Sequence, residues 1–431
     1  MTKAYRNHCI QSMRYNLERI TKLLWLCLLV ELGVVCSWAA QPEKIDELIM
    51  AEPTSRTEHQ APIISLLTCG PTDDYVFYLY GHTALRVQVD GEDWVYNYGY
   101  FSLNQEHFIL NFITGKPMYS VGVISFQDFL EEYALQGRRV TEQVLALSPK
   151  EAEEMNRYLE WNARPENRDY QYNFYFNNCA TKPRDLIERY TGGLDYKIDP
   201  SQMPTFREAI RNLSYTSSWY TMGADCCLGW ESDKKMSLSD AAFLPMFLEQ
   251  EMDAAVRKSD GTPLVLEKKE WLPQTKEIGS TPWDDFHWPT WTFLGVALLY
   301  GILYLLGYLQ QGVEPRWSSM LLLLIRKSLY IVAAVAGVIV WFLAFGSEHP
   351  HTFPNAQILL LHPLYAILLF TSEKAKYQRL NYWLYFGNFV AIVLYLLMGY
   401  KQVLPIGLPI FALLLGVDQM LRWWKLRKNK R

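Results

Sequence analysis

The C-terminal third sets the first constraint on this chain. Past residue 290, apolar stretches fill about 290–309, 328–346, 356–371, 382–400 and 403–421. Crossing a hydrocarbon layer of about 30 Å takes roughly 20 helical residues, which all but the short third stretch approach. In lipid a segment must satisfy its own backbone amides, so these stretches are expected to be helices. Their connections carry Arg316, Arg326 and Lys327, then no Lys or Arg at 347–356, then Lys374, Lys376 and Arg379, then Lys401 alone. The tail adds Arg422, Lys425, Arg427, Lys428, Lys430 and Arg431. The positive-inside rule puts the first, third and last groups in the cytoplasm, and five crossings from a periplasmic start end there as well. Trp283, Trp288 and Trp291 cluster where the first span begins, as interfacial anchors do.

The other end of the chain reads as an export signal. Lys3, Arg6, Arg14, Arg19 and Lys22 precede an apolar run from Leu23 to Cys36, and Ser37-Trp38-Ala39 puts small residues before a cleavage point after Ala39. Glu31 interrupts that run, so an uncleaved anchor is the alternative. The expected organisation is a leader or anchor at 1–40, an exported domain at 41–287 and a membrane domain at 288–431. Lys and Arg against Asp and Glu number 5 to 2 over residues 1–40, 23 to 39 over 41–290 and 13 to 4 beyond. The acidic middle would repel phosphates, which argues against nucleic acid as a partner. After removal of the leader Cys69, Cys179, Cys226 and Cys227 remain, and an oxidising compartment would permit a disulfide between Cys69 and Cys226 or Cys227. The alternative is four reduced cysteines. No spacing resembles a metal site, and no nucleotide or other cofactor motif is present.

Within the exported domain the patterning is mixed. Ile63–Thr68, Ala84–Val89, Trp94–Tyr100, Met118–Ile124 and Arg138–Leu147 read as strands, with a turn at Asp90-Gly91-Glu92-Asp93. Phe126–Leu135, a capped segment from Ser148-Pro149-Lys150-Glu151 to about Arg164, Met203–Leu213 and Ser239–Val256 read as helices. Without regular alternation of strand and helix, the expected fold class is α+β.

Two places carry chemistry. Tyr172 to Phe176 ends in Asn177-Asn178-Cys179, and Leu186, Ile187 and Tyr190 then repeat at helical spacing. Pro183 fits only a first turn, so Cys179 is expected at a helix N-terminus, where free amides and the dipole favour a thiolate. About a hundred residues earlier stands Gly81-His82, and period-two alternation puts His82 on the strand face of Ala84 and Arg86. A thiol nucleophile with an imidazole base is the functional reading. The bland reading is a small buried hydrophobe and a satisfied core histidine. Asn97, on the neighbouring strand, is the candidate for orienting the imidazole, with a turn amide as its alternative. Glu348-His349-Pro350-His351 and His362-Pro363 place ionisable groups at or within the membrane, either as functional groups or as a loop with helix-breaking prolines.

Histidine on an early strand followed by cysteine at a helix start resembles the permuted papain-like group containing the lecithin:retinol acyltransferase relatives. More closely, Leu67-Thr68-Cys69-Gly70-Pro71, Gly81-His82-Thr83-Ala84-Leu85-Arg86-Val87, Tyr96-Asn97-Tyr98-Gly99-Tyr100-Phe101, Asn177-Asn178-Cys179-Ala180-Thr181 and the loop with His349-Pro350 and Asn355 resemble the Lnb-type lipoprotein N-acyltransferase family. Glu348 stands where that family's pattern would have aspartate. The resemblance implies a permuted papain-like exported domain followed by an all-α membrane domain of about five helices. It implies Cys179 as nucleophile and His82 as base, with Asn178, His349 and Asn355 near the substrate. It further implies a phospholipid acyl donor and the α-amine of a diacylglyceryl-cysteine lipoprotein as acceptor. The rival readings are a cysteine peptidase or amidase acting on cell-wall peptide, and a non-catalytic scaffold.

Overall fold

The computed structural model describes residues 60–101, 105–279, 287–309 and 316–428. The expected leader and Trp283 lie outside the described residues. Strands β1 (Ile63–Cys69), β2 (His82–Val89), β3 (Glu92–Tyr100), β4 (Met118–Ser125), β5 (Val140–Leu145) and β6 (Asp169–Gln171) belong to one sheet. A short ribbon pairs β7 (Leu194–Tyr196) with β8 (Ala255–Arg257), and β9 (Val265–Leu272) closes the large sheet in the order β6-β4-β3-β2-β1-β5-β9. Every pairing is antiparallel. The β2–β3 turn is tighter than the sequence suggests. Asp90 and Gly91 take φ of 52° and 85°, the left-handed pair of a two-residue hairpin, so Glu92 and Asp93 already lie in β3.

Alternation along the strands builds two apolar layers. Leu66, Leu85, Val87, Tyr96 and Tyr98 face the helices Pro149–Asn162 and Thr181–Tyr190, meeting Met155, Leu159, Leu186 and Ile187. On the other face Leu67, Ala84, Val95 and Val140 lie under Phe126, Phe129 and Tyr133 of the helix Phe126–Leu135. Ser148 and Glu151 form the capping box expected of them, with Pro149 in the first turn. The single helix expected at Ser239–Val256 is instead two, Leu238–Ala241 and Pro245–Asp253, followed by β8. Pro245 is the cause, because it cannot donate into a preceding helix but can begin a new one. The helices Phe108–Thr114 and Ser218–Cys227 carry no strong period in sequence and were not expected.

The C-terminal part is helical. Among the described residues three helices are long and apolar enough to cross a membrane, Trp288–Leu309, Trp317–Gly346 and Ala375–Tyr400. The third expected span is two short helices, Gln357–Leu360 and Tyr365–Thr371, broken around Pro363. The last helix, Leu408–Lys428, buries Phe411, Leu414 and Leu415 in the same core as Tyr300, Tyr330 and Tyr395. Its Asp418 is buried and accepts from Tyr300 Oη at 2.6 Å, Tyr330 Oη at 2.5 Å and Arg326 Nε at 3.0 Å. Among the described residues no disulfide forms: Cys69 lies at the end of β1, whereas Cys226 sits in the core of the membrane helices.

Backbone contacts stitch the sheet domain to the loop that follows the Trp317–Gly346 span. Glu348 N–H donates to Thr114 O at 2.9 Å, and His349 Nε2 lies 2.9 Å from Phe112 O. On the far side of the loop, Gly229 N–H donates to His351 O at 2.7 Å and Trp230 N–H to Pro354 O at 3.0 Å. The close approach falls on Gly115, which ends the helix Phe108–Thr114 in a left-handed conformation, φ 83°. Its N–H bonds Phe112 O, and Lys116 N–H bonds Asn111 O, the paired C-terminal bonds of a Schellman motif. A Cβ at Gly115 would stand 2.8 Å from His349 N and 2.9 Å from Glu348 C. Gly261, equally left-handed at φ 70°, has nothing within 4 Å of such an atom. Gly261→Ala is therefore expected to cost about 1 kcal/mol of conformational strain. Gly115→Ala adds a backbone clash and is expected to cost about 1–3 kcal/mol more, read as the difference between the two variants' thermal unfolding in detergent.

Candidate active site at the Cys179 helix start

The chain enters the Thr181–Tyr190 helix through a corner organised by Asn178. Its Oδ1 accepts from Ala180 N–H at 2.8 Å and Thr181 N–H at 2.9 Å, while its Nδ2 donates to Phe174 O at 2.7 Å and Phe243 O at 2.8 Å. Lys182 N–H bonds Asn178 O. The corner fixes Cys179 one residue before the helix cap at Ala180.

Gly99 lies opposite, in β3, with φ 119° and a register irregularity against β4 between Tyr98 and Tyr100. A Cβ built on Gly99 would stand 3.7 Å from Cys179 Cβ and 4.0 Å from His82 Cε1. The cysteine and the histidine thus flank one patch of bare backbone. Asn97, two residues before that glycine, presents Oδ1 at 3.2 Å from His82 Nε2. Because a carbonyl oxygen only accepts, this bond puts the imidazole proton on Nε2 and leaves Nδ1 with its lone pair. The imidazole is held from the other side by Tyr133, with rings nearly parallel at 12° and centroids 6.5 Å apart.

Burial sets the protonation of both groups. Cys179 and His82 are partly accessible but surrounded by protein. Desolvation pushes the Cys179 thiol up to about 11, against the pull of the backbone amides of Thr83 and Cys179 itself and of the Arg138 charge. Desolvation, with Arg138 as a like charge, takes His82 down to about 4, and the Asn97 hydrogen bond opposes that fall. The thiolate expected of a helix N-terminus is thus corrected to a neutral thiol beside a neutral imidazole. Burial is the physical reason, and Asn178, which takes the amides of Ala180 and Thr181, leaves the sulfur fewer donors to offset it.

Several residues around the pair were not singled out in the sequence. Arg138 is 1% exposed, donates from Nε to Gly70 O at 2.7 Å and lies over the rings of Tyr78 and Tyr133. Burial, with Cys179 as a further contributor, raises the phenols of Tyr119, Tyr170 and Tyr172, and Tyr119 stacks on Tyr172 with centroids 4.1 Å apart. Gly99 was legible, since a glycine inside a strand two positions from Asn97 shares its face. Arg138 and the tyrosines leave no such mark.

Asn178, His349 and Asn355, expected near the substrate, spend their side chains on backbone groups. Asn178 caps the helix, His349 meets Phe112 O, and buried Asn355 donates to Cys226 O at 3.0 Å while accepting from Gln357 N–H at 3.0 Å. His351 packs among Tyr175, Phe176 and Phe206. His362 stacks on Tyr365 in the broken span.

Comparison with known families decides what kind of chain this is. The Lnb N-terminal periplasmic domain matches residues 55–213, and the Lnb transmembrane domain matches residues 285–430. The chain belongs to the Lnb family. It is a membrane protein with a periplasmic domain, an α+β sheet domain followed by a helical part with three apolar spans. No curated protein and no solved structure matches it.

Two measurements on this Lnb chain follow from the site. Iodoacetamide labelling of Cys179, followed by peptide mass mapping, is expected to rise steeply only as pH approaches about 11, and Arg138→Gln should move that rise to still higher pH. A plateau of labelling below pH 8 would contradict the neutral thiol. Asn178→Ala leaves two buried carbonyls and two buried amides without their partner and is expected to cost about 3 kcal/mol, measured by thermal unfolding.

Proposed function

We propose that this Lnb-family chain is a membrane-bound N-acyltransferase. Its substrates are a phospholipid as acyl donor and the α-amine of the diacylglyceryl-cysteine of lipoproteins as acceptor. The observation that supports this most is His82, oriented by Asn97 through Nε2, sharing with Cys179 the bare backbone at Gly99. The pair is read as the catalytic centre of a permuted papain-like domain, with Asn97 as the positioning residue for the imidazole.

In the first half-reaction His82 Nδ1 takes the Cys179 thiol proton as sulfur attacks the ester carbonyl. The C–O bond breaks, the proton passes from His82 to the departing glycerol oxygen, and a lysophospholipid leaves a Cys179 thioester. In the second, the lipoprotein amine attacks that carbonyl and gives His82 its proton. The C–S bond breaks, and sulfur recovers the proton as thiol. The backbone amides of Thr83 and Cys179, close to the sulfur, are the candidates for steadying the oxyanion. Neutral resting groups suit this scheme, because a base with its lone pair free meets a thiol that ionises only as it reacts. The catalytic domain is assigned to the periplasmic side of the inner membrane, with the C-terminus in the cytoplasm as the basic tail suggests.

Mass spectrometry of lipoprotein N-termini tests the reading. Cells carrying the wild-type chain as their sole N-acylating protein should show a third acyl chain on the N-terminal cysteine. Cys179→Ala and His82→Ala, at equal expression, should leave diacylated forms. Undiminished N-acylation in the Cys179→Ala strain would refute the proposal.

A further inference from the structure

The helix Phe108–Thr114 has the sequence Phe-Ile-Leu-Asn-Phe-Ile-Thr and no charged residue. Phe108 is buried, but Ile109, Leu110, Phe112 and Ile113 are 62%, 59%, 49% and 44% exposed. Single exposed apolar residues are ordinary on protein surfaces, whereas four on one short helix form a patch that water does not favour. Its position indicates what covers it. Thr114 O accepts from Glu348 N–H, and Glu348 lies two positions beyond Gly346, where the long apolar helix Trp317–Gly346 ends. That span continues the apolar surface at Phe342 and Phe345, which are exposed. The patch is therefore held within a few residues of the end of a membrane span. Lys116, just past the Gly115 cap, is exposed and paired with Glu348 at 2.7 Å.

From this helix an unbroken series of stacked rings leads inward. Phe112 stacks on Phe108 at 6.2 Å, Phe108 on Phe101 at 5.5 Å, Phe101 on Tyr119 at 4.9 Å and Tyr119 on Tyr172 at 4.1 Å. Phe101, in the middle of the row, follows Gly99 by two residues, and Gly99 is the bare backbone that Cys179 and His82 flank. The row leads from the exposed apolar helix to the strand end beside the pair.

We infer that Phe108–Thr114 is an interfacial helix whose apolar side chains enter the periplasmic leaflet, and that Phe108, Phe101, Tyr119 and Tyr172 form the wall along which a bilayer phospholipid's acyl chain reaches Cys179. The acyl-chain half of this inference rests on the proposed acyltransferase reading; the bilayer contact of the helix does not. The occupant is hydrocarbon because the patch is uncharged, continuous with a membrane span, and ends at a backbone contact with the loop that leaves that span.

The test uses the full chain in phospholipid vesicles. The photoreactive residue p-benzoylphenylalanine, placed at Leu110, should give a phospholipid adduct on irradiation. At Leu135, 90% exposed on the helix Phe126–Leu135, it should not. Absence of a lipid adduct at 110, or an adduct to protein alone, overturns the interfacial helix. In the second arm, acylation of Cys179 is followed by intact mass with two donors, vesicle phospholipid and water-soluble p-nitrophenyl butyrate. The double variant Ile109→Glu, Leu110→Glu, at exposed positions that do not support the core, should lose about tenfold or more of acylation from vesicles. It should keep acylation from the butyrate, and Leu135→Glu should change neither. Equal loss with both donors, or loss with neither, overturns the acyl-chain path. Failure of the wild-type chain to be acylated by either donor refutes the acyltransferase reading instead, and the photochemical arm then decides the helix on its own.

Discussion

The architecture depends on a backbone-to-backbone contact between the sheet domain and the membrane part. Thr114 O accepts from the Glu348 backbone N–H while the His349 imidazole lies against Phe112 O, and only a glycine at 115 lets the two chains approach that closely. The chain then needs just Lys116 and Pro117 before β4 begins at Met118, so the contact leads directly into the large sheet that carries His82 and Gly99. Hydrogen bonds at Gly229 and Trp230 hold the far side of the same loop, so the contact resists rocking about a single point.

At Cys179, burial and helix-end polarity compete, and burial wins. A helix N-terminus offers four unpaired amides, and an exposed sulfur placed there ionises easily. Here Asn178 takes the amides of Ala180 and Thr181 and uses its own amide group on Phe174 O and Phe243 O, which makes the corner rigid. The sulfur is left with the backbone amides of Thr83 and of its own residue, and the Arg138 charge, none of which offsets desolvation. Arg138 favours the thiolate and disfavours imidazolium at once, so it eases proton loss from the thiol while keeping the imidazole neutral at rest. A protonated thiol is also the less oxidisable form, which suits an exported cysteine that must persist with no partner sulfur.

Much of this was legible in the sequence, and the reasons differ by element. Strands β1 to β4 announced themselves by period two, and the face shared by His82 and Ala84 follows from that period alone. Register then brings Asn97 opposite Ala84, so a neighbouring strand was the correct place to seek the imidazole's partner. The protonation state was not legible, because it turns on where the amide of Asn178 points, and an asparagine before a cysteine reads alike whether it caps or contacts substrate. The Ser239–Val256 segment misled because its apolar spacing is helical while Pro245 divides it. The membrane helices were clear where apolar length was unbroken, as in Trp317–Gly346. The region around Pro363 was ambiguous because hydropathy cannot distinguish a short span from two short helices packed in the core with Tyr330 and Tyr385. The tyrosines at 119 and 172 could not have been assigned, since their meeting depends on the pairing of β4 with β6.

The buried polar network of the membrane helices bears on the same geometry. Asp418 is 1% exposed and accepts bonds from Tyr300, Tyr330, Arg326 and Gln419, so its charge is paid for only in this one arrangement of three helices. Arg326 stands near one end of the Arg316–Gly346 helix, and the loop that grips Gly115 leaves the other end. A single continuous helix therefore connects a polar lock that fixes the bundle to the contact that fixes the sheet domain. A flexible linker would leave the placement of the sheet domain against the membrane helices unspecified. Here hydrogen bonds at Thr114, Gly229 and Trp230 set that placement, and with it the position of Cys179 relative to the spans.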